Sequence, residues 1–412
     1  MFERNLRHLL LKALARSRVV LLTGARQSGK TTLIKSIGAD LNYHFVTFDD
    51  LRVLEGAKND PVGFIEHINK PVILDEVQRV PEIFLPIKHD VDNHSAFGRY
   101  ALTGSTNPLL VPKLGDSLSG RMEIINMLPL SQGELVGVRE RFVDCIFNNE
   151  VPRAPVKVMP KRELYAKIIT GEYPMVQGLS GENRDAWFNS YITTLVQRDV
   201  QDIANITNIR EFSQLLRLLA TRAGNLLNAA ELSRSTGIPA VTVHRYIALL
   251  EACFIAKFLP AWSQNLGRRL VKTPKTYLID TGLLSFLMGI NVERLLGDPI
   301  LAGGVVENFV VEEIIKQITW SEGYIELFHF RTATGIEVDL ILENRAGDII
   351  GIEIKSGESI DKNDFKGLSY LKEMMGKKFL RGIVLYAGSV SVPFGDKLIG
   401  LPIQTLWTES VS

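Results

Sequence analysis

Cysteine is nearly absent: Cys145 and Cys253 are the two among 412 residues, and both lie in apolar stretches. That excludes a disulfide framework and a cysteine-rich zinc site. No run approaches the ~18 uninterrupted apolar residues of a membrane span. The mixed charge of Met1-Phe2-Glu3-Arg4-Asn5, with no small-residue cleavage site, does not read as a signal peptide. The expectation is a cytoplasmic protein with no membrane partner. An excess of one charge is missing too. Forty-seven basic and 46 acidic residues give a net charge of +1, so any nucleic-acid contact has to come from local basic patches. Internal repeats and low-complexity tracts are also lacking. What is there is 46% hydrophobic and 23% charged, the balance of soluble globular domains with enough apolar material for their cores. At about 100–200 residues per domain the length allows two to four domains.

Three composition regimes follow one another. Residues 1–155 alternate short apolar runs (Arg18–Leu22, Tyr43–Phe48, Pro71–Leu74, Tyr100–Leu102, Met122–Met127) with helical patterns, which predicts a parallel α/β unit joined by helical crossovers. In residues 156–270 strand signals fade, and Asn189–Asn205 and Arg210–Arg222 space their apolar residues three and four apart, as helices do. Residues 271–412 predict a helix near Val305–Ile318, three strands, a helix at Asp364–Met375 and a strand at Leu380–Tyr386.

Gly24-Ala25-Arg26-Gln27-Ser28-Gly29-Lys30-Thr31 fits G-x-x-x-x-G-K-S/T without a mismatch, between a strand run and a helical pattern beginning with Thr32. Glycines let backbone N–H groups close around phosphates, Lys30 reaches the β- and γ-phosphates, and Thr31 offers a hydroxyl to Mg²⁺. The helix N-terminus adds its positive dipole end. Downstream, Pro71-Val-Ile-Leu-Asp75-Glu76 is a strand ending in two carboxylates: Asp75 for Mg²⁺ through its water shell, and Glu76 to position or deprotonate the attacking water. The extra strand between these elements resembles the glutamate-base division of P-loop ATPases, to which AAA+ proteins belong. In such ATPases a polar residue at the end of the next strand senses the γ-phosphate. Here that is Ser105, with Thr103 second, unless Gly104-Ser105 is only a turn. Arg121 is either an arginine finger, acting in its own subunit or in a neighbour, or a surface arginine at a strand start. Arg198 is a weaker candidate of the same kind.

Residues Asn228–Glu251 read as two short helices joined at Gly237, with Leu232, Ile238, Val243, Ile247 and Leu250 as shared core and Thr242, His244 and Arg245 facing outward. Ile255–Trp262 would supply a wing. This is the winged helix-turn-helix pattern, which docks either DNA or protein. The adjacent Arg268, Arg269, Lys272 and Lys275 favour DNA phosphates.

Ile336–Glu343 and Ile349–Gly357 are consecutive strand patterns. Period-two alternation puts Glu353 and Lys355 on one face, with Ile350, Ile352 and Ile354 on the other. Asp339 can align beside them, and Glu307 lies on the preceding helix. Asp339, Glu353 and Glu307 would bind a divalent metal, and Lys355 would orient or deprotonate water, or stabilise the phosphorane-like oxygens. The helix, three strands, helix, strand order resembles the PD-(D/E)xK nuclease fold of restriction enzymes and junction resolvases. It departs in one respect, since Val338 precedes Asp339. The remaining reading is a solvated Glu-Lys hairpin.

Over nearly its full length the chain is similar to a widespread bacterial and archaeal ATPase family that joins an AAA-like P-loop domain to a C-terminal domain of unknown function. The resemblance rests on the phosphate loop, Leu74-Asp-Glu-Val-Gln78, Leu102-Thr-Gly-Ser105, Gly120-Arg121, Tyr277-Leu-Ile-Asp280-Thr-Gly282, Glu307-Asn-Phe309, and Glu337-Val-Asp339 with Glu353-Ile-Lys355. It implies ATP hydrolysis, a winged-helix segment and a nuclease-like C-terminal fold. Two functions follow as expectations. One is an ATP- and Mg²⁺-dependent, homo-oligomeric enzyme that binds and remodels or cleaves DNA, branched DNA included. The other is an ATP-controlled switch or scaffold for protein partners, with an inactive nuclease-like fold.

Overall fold

The computed structural model describes residues 2–106, 118–148, 150, 152, 159–195, 208–265, 267, 269 and 272–408. The run Val19–Gly24 (β1) is buried at every position, as a strand covered on both faces must be. With His44–Thr47 (β2), Val72–Asp75 (β3), Tyr100–Gly104 (β4) and Met122–Met127 (β5) it forms a parallel sheet in the order β2-β3-β4-β1-β5. Helices Arg7–Leu14 (α1), Lys30–Leu41 (α2), Leu51–Asn59 (α3), Pro61–His67 (α4) and Phe84–Asn93 (α5) accompany it. Alternation along β1 divides the core: Val19 and Leu21 pack with Leu74, Leu102 and Phe84, while Val20 and Leu22 pack with Leu10, Leu33 and Ile37. Because β3, β4 and β1 are parallel neighbours, their C-terminal ends open side by side, where ligands of such sheets bind.

Short helices Gln132–Val136 (α6) and Phe142–Phe147 (α7) lead into a helical region of Lys161–Thr170 (α8), Gly181–Thr194 (α9), Ile209–Ala220 (α10), Ala229–Thr236 (α11) and Ala240–Ala252 (α12). Spacing explains α10, whose Phe212, Leu215, Leu216 and Leu219 are all buried. Asparagine caps start α10 and α11: Asn208 accepts from the Glu211 N–H and Asn228 from the Glu231 N–H. Strands Ala256–Leu259 (β6) and Lys275–Leu278 (β7) pair antiparallel.

Thr281–Met288 (α13) and Val292–Gly297 (α14) precede the long helix Pro299–Trp320 (α15). Then Ile325–Arg331 (β8), Glu337–Asn344 (β9), Ile349–Lys355 (β10), Lys366–Met375 (α16), Phe379–Tyr386 (β11), Val392–Pro393 (β12) and Leu398–Pro402 (β13) complete a mixed sheet in the order β12-β13-β11-β10-β9-β8. The pairs β8-β9 and β9-β10 are antiparallel, and β10-β11 and β11-β13 are parallel. Phe309 and Val310 of α15 share a core with Ile350, Ile352 and Ile354, whereas Leu368 and Leu371 of α16 pack with Val338 and Ile341.

The fold is therefore α/β, with an N-terminal parallel sheet, a helical middle and a C-terminal mixed sheet. It departs from expectation in places. Strands β12 and β13 were not foreseen. Helix α15 begins six residues before Val305, because the Asp298 carboxylate caps the N–H groups of Ile300 and Leu301 and Pro299 takes the first position. Strands β6 and β7 pair across residue 270, and one core cluster includes Ala25, Leu128 and Trp407. Of the expected helix over 189–205, residues 196–205, including Arg198, lie outside the described residues. No described helix is long and apolar enough to cross a membrane.

Candidate functional site

The phosphate-loop sequence leaves β1 at Gly24 and enters α2 at Lys30. Gly24 is held at φ 150°, and a Cβ there would lie 1.9 Å from the Met127 carbonyl oxygen, so the loop's path under β5 requires glycine. Gln27 sits at φ 59°, a left-handed backbone that costs a non-glycine residue about 1 kcal/mol or more. Gly29 precedes α2 without a side-chain cap, so the positive end of the helix dipole faces the loop, as an anion site requires. Ser28 Oγ is buried without a hydrogen-bond partner. The loop is braced from behind by Arg4, a residue that no sequence motif singles out. Buried, it donates to the Ser28 carbonyl at 2.7 Å and the Leu128 carbonyl at 2.7 Å, and pairs with Glu134 at 3.0 Å.

Lys30 is buried, and its Nζ donates to the Gly24 and Ala25 carbonyls at 2.9 and 2.8 Å. Asp75, at the end of β3, is a hub. It accepts from Thr31 Oγ1 at 2.9 Å, Thr47 Oγ1 at 3.2 Å and Thr103 Oγ1 at 2.5 Å. Glu76 follows in a left-handed backbone at φ 61°, its N–H donating to Thr103 Oγ1 at 3.2 Å. Gln78 Nε2 donates to both Glu76 Oε2 and Ser105 Oγ, the latter at 3.0 Å. Thus Lys30, Thr31, Asp75, Glu76, Thr103 and Ser105 converge, and Gln78 joins the last carboxylate to Ser105. Ala25 is buried and Thr32 exposed, with Arg26 between these extremes. Neutral threonine hydroxyls and a carboxylate at bonding distance form the hard-oxygen set a Mg²⁺–phosphate group needs, so the residues present fit a nucleotide with its metal.

Arg121 does not join them. Met122 pairs with Val19 at the start of the six-residue β1, so Arg121 lies at the far end of the sheet, roughly 20 Å from the loop at 3.3 Å per residue. Its guanidinium is engaged by Asp92, at 2.5 and 3.1 Å. A finger acting within its own chain is ruled out by that placement.

In the C-terminal sheet the β9-β10 ladder stops at Leu340↔Ile352. Past that point side chains take over the backbone bonds. Asp339 Oδ2 accepts from the Ile354 N–H at 2.9 Å, and Glu353 Oε2 accepts from the Asp339 N–H at 3.3 Å. Lys355 Nζ donates to Glu353 Oε1 at 3.1 Å. Glu307 reaches the same place from α15. Asp339, Glu353, Glu307 and Lys355 are therefore one cluster rather than a solvated hairpin face.

The cluster holds a fifth member. Lys275, expected among DNA-facing residues, points inward from β7 and is 7% exposed. Its Nζ lies 2.8 Å from Glu307 Oε1 and 3.2 Å from Asp339 Oδ1, and Tyr277 Oη donates to Glu307 Oε1 at 2.7 Å. Burial and then the Asp339 charge push Glu307 up to about 7, against the pull of Lys275. Burial and Asp339 likewise push Glu353 up to about 8, against Lys355. Burial would lower the Lys275 ammonium, yet Asp339 and Glu307 outweigh it and hold it protonated above its usual range. Among the described residues no three acidic, histidine or cysteine groups are placed to hold a metal. With an ammonium already bridging two of the carboxylates, the donor set does not fit a divalent ion.

Arg269 also turns inward. It pairs with Glu343 at 2.5 and 3.1 Å and lies 4.7 Å from the Phe328 ring centroid and 5.3 Å from that of Trp262. Of the expected basic group, Lys272 is exposed and Arg268 lies outside the described residues. Helices α11 and α12 meet at Gly237 as expected, with Leu232, Ile238, Val243, Ile247 and Leu250 buried and His244 and Arg245 exposed. The Asp280 turn is structural. Its carboxylate accepts from the Leu283 N–H at 2.7 Å, capping α13, and from the Glu172 N–H at 2.6 Å.

Comparison with known proteins places residues 16–136 in a family described as AAA domain. Residues 161–294 match a domain of unknown function, DUF8612, and residues 302–406 another, DUF4143. Over 406 residues the chain is 30% identical to the uncharacterized proteins Mb2031c of Mycobacterium bovis and Rv2008c of Mycobacterium tuberculosis, which covers 98% of this chain and 84% of each of them. Among solved structures, the Walker-type ATPase PABY2304 of Pyrococcus abyssi aligns at 13% identity with a TM-score of 0.43, covering 70% of this chain and 96% of that one.

Proposed function

The chain belongs to the family of these mycobacterial proteins and carries a P-loop ATPase-type domain, and we propose that it hydrolyses ATP with Mg²⁺ to control a DNA-binding element. The observation that carries the nucleotide half is the bonded set Thr31–Asp75–Thr103 beside Glu76–Gln78–Ser105. Lys30 exchanges its loop carbonyls for the β- and γ-phosphate oxygens, while Thr31 and Asp75 hold the metal side. Bound Mg²⁺ supplies charge neutralisation at the phosphate oxygens. Glu76 takes the proton of the attacking water, and Ser105, tied to it through Gln78, reports the γ-phosphate. Arg121, as a finger, reaches the phosphates of a neighbouring copy in a cytoplasmic homo-oligomer.

The DNA half rests on α11 and α12 with the β6-β7 ribbon, read as a winged helix presenting Thr242, His244 and Arg245, with Lys272 nearby. Duplex or branched DNA is the substrate of this reading. A second reading, a nucleotide-controlled scaffold for protein partners, is favoured by one observation: Arg269 and Lys275 are spent on internal carboxylates. Steady-state ATPase at low salt with Mg²⁺, with and without duplex and four-way-junction DNA, decides between them, with Lys30→Ala as blank. The DNA reading requires stimulation of severalfold or more that fades steeply with salt. A flat response transfers the proposal to the scaffold.

A further inference from the structure

We infer that Lys275 is a built-in cation standing in the place of a divalent ion, so that the carboxylate cluster of the C-terminal sheet is a latent metal site shut by β7. The inference rests on that cluster alone and on neither the ATPase nor the DNA reading.

Three elements meet at the lysine. Glu307 comes from α15, Asp339 from β9, and the ammonium between them from β7, at 2.8 and 3.2 Å. An ion linking two carboxylates from separate elements is the ordinary work of a metal, and here a side chain does it. Lys275 is not a surface lysine that happens to fall inward. Its backbone pairs with Leu259 on one side and bridges to Leu226 on the other, and Tyr277, two residues along β7, holds the same Glu307 oxygen.

The two cations compete for the same oxygens. A divalent ion on Glu307 Oε1 and Asp339 Oδ1 would sit against the ammonium that lies 2.8 and 3.2 Å from them, in a buried place where like charges repel strongly. Asp339 Oδ2 is already fixed by the Ile354 N–H, Glu353 Oε2 by the Asp339 N–H and Glu353 Oε1 by Lys355. Removing the ammonium therefore opens Asp339 Oδ1 and leaves Glu307 Oε1 to the Tyr277 hydroxyl, the two oxygens a divalent ion would take.

Mn²⁺ binding to the full-length chain, followed by electron paramagnetic resonance, tests this. An Asp75→Asn background removes the nucleotide-site metal. With Lys275 in place, no Mn²⁺ should bind that Asp339→Asn can abolish. Lys275→Ala, or Lys275→Gln if the alanine variant does not fold, should bind one Mn²⁺ at least tenfold tighter than the parent and lose it with Asp339→Asn. Two results overturn the inference: Mn²⁺ bound in the parent and lost with Asp339→Asn, or a folded Lys275 variant that gains none. Loss of ATPase or of DNA stimulation alters neither result.

Discussion

Glu76 and Ser105 stand on different strands' ends, and what fixes one against the other is a single amide. Gln78 Nε2 reaches both the Glu76 carboxylate and the Ser105 hydroxyl, while Glu76 itself is held in a left-handed backbone by its N–H bond to Thr103. A general base works only when its oxygen is aimed at the proton it must take, so an unanchored Glu76 side chain loses rate without losing nucleotide. Gln78 touches no reacting atom in this arrangement and is a positioning residue. Gln78→Ala should lower kcat by about 10–100-fold and leave KM for ATP within about twofold. Lys30→Ala, by contrast, removes the phosphate ligand of the proposed reaction and should weaken nucleotide binding itself. A Gln78→Ala enzyme with unchanged kcat would show that the amide is only packing, and would leave Glu76 positioned by its backbone alone.

Elements that carry their own signal were legible. The phosphate loop is a contiguous strand, turn and helix, and the strand that ends at Asp75 is four buried residues in a row, so local chemistry specified both. Glu353 and Lys355 share a face for the equally local reason of strand alternation. The residues that went astray are those whose partners are remote. Arg269 and Lys275 look like a surface cluster because they are near each other in the chain. Yet Arg269 is claimed by Glu343 and Lys275 by Glu307 and Asp339, and nothing in a linear reading ranks an internal carboxylate above a phosphate. The start of α15 carries a readable signal, since Asp298-Pro299 is a cap followed by a first-turn proline, but apolar spacing alone does not reach back to it. The short β12 carries too few residues for periodicity to register. For Arg269 the two roles separate experimentally. Removing a guanidinium that is 10% exposed, bonded to Glu343 through two nitrogens and set against two aromatic rings, should cost about 2–4 kcal/mol in urea unfolding. Lys272→Ala, on an exposed lysine, should stay within about 0.5 kcal/mol. If Arg269→Ala keeps full stability and loses DNA affinity instead, the residue belongs to the surface after all.

At the scale of the molecule, α15 is the member that ties the three regions into one body. Its Glu313 accepts from the Gln132 N–H at 2.9 Å, Gln317 accepts from the Val143 N–H at 3.3 Å and donates to the Leu406 carbonyl at 2.7 Å, and Trp320 donates to the Glu140 carbonyl at 3.3 Å. Along this joint Glu172, Asp280, Glu312 and Glu313 are buried around the Lys316 ammonium, whose Nζ lies 2.8 Å from Glu313 and 3.5 Å from Glu172. Burial pushes all four carboxyls up, Glu172 to about 8; the nearby Lys316 charge is the chief restraint on Glu172, Glu312 and Glu313, and the Glu172 and Leu283 N–H groups are the chief restraint on Asp280. The sign follows from linkage. A carboxyl whose pKa is higher folded than unfolded contributes stability that is complete below its unfolded value near 4.5, and that is lost as pH rises through its folded value. The joint should therefore weaken between about pH 5 and 8. Lys316→Met removes the restraint and leaves the carboxylates unbalanced, which should cost about 3–5 kcal/mol at pH 8. At pH 5.5 the same carboxyls can hold their protons, so the deficit should shrink by about 1 kcal/mol or more. Urea unfolding of both proteins at the two pH values measures the difference. A deficit equal at both would mean that Lys316 contributes packing rather than charge, and that the joint is held by its hydrogen bonds and apolar core alone.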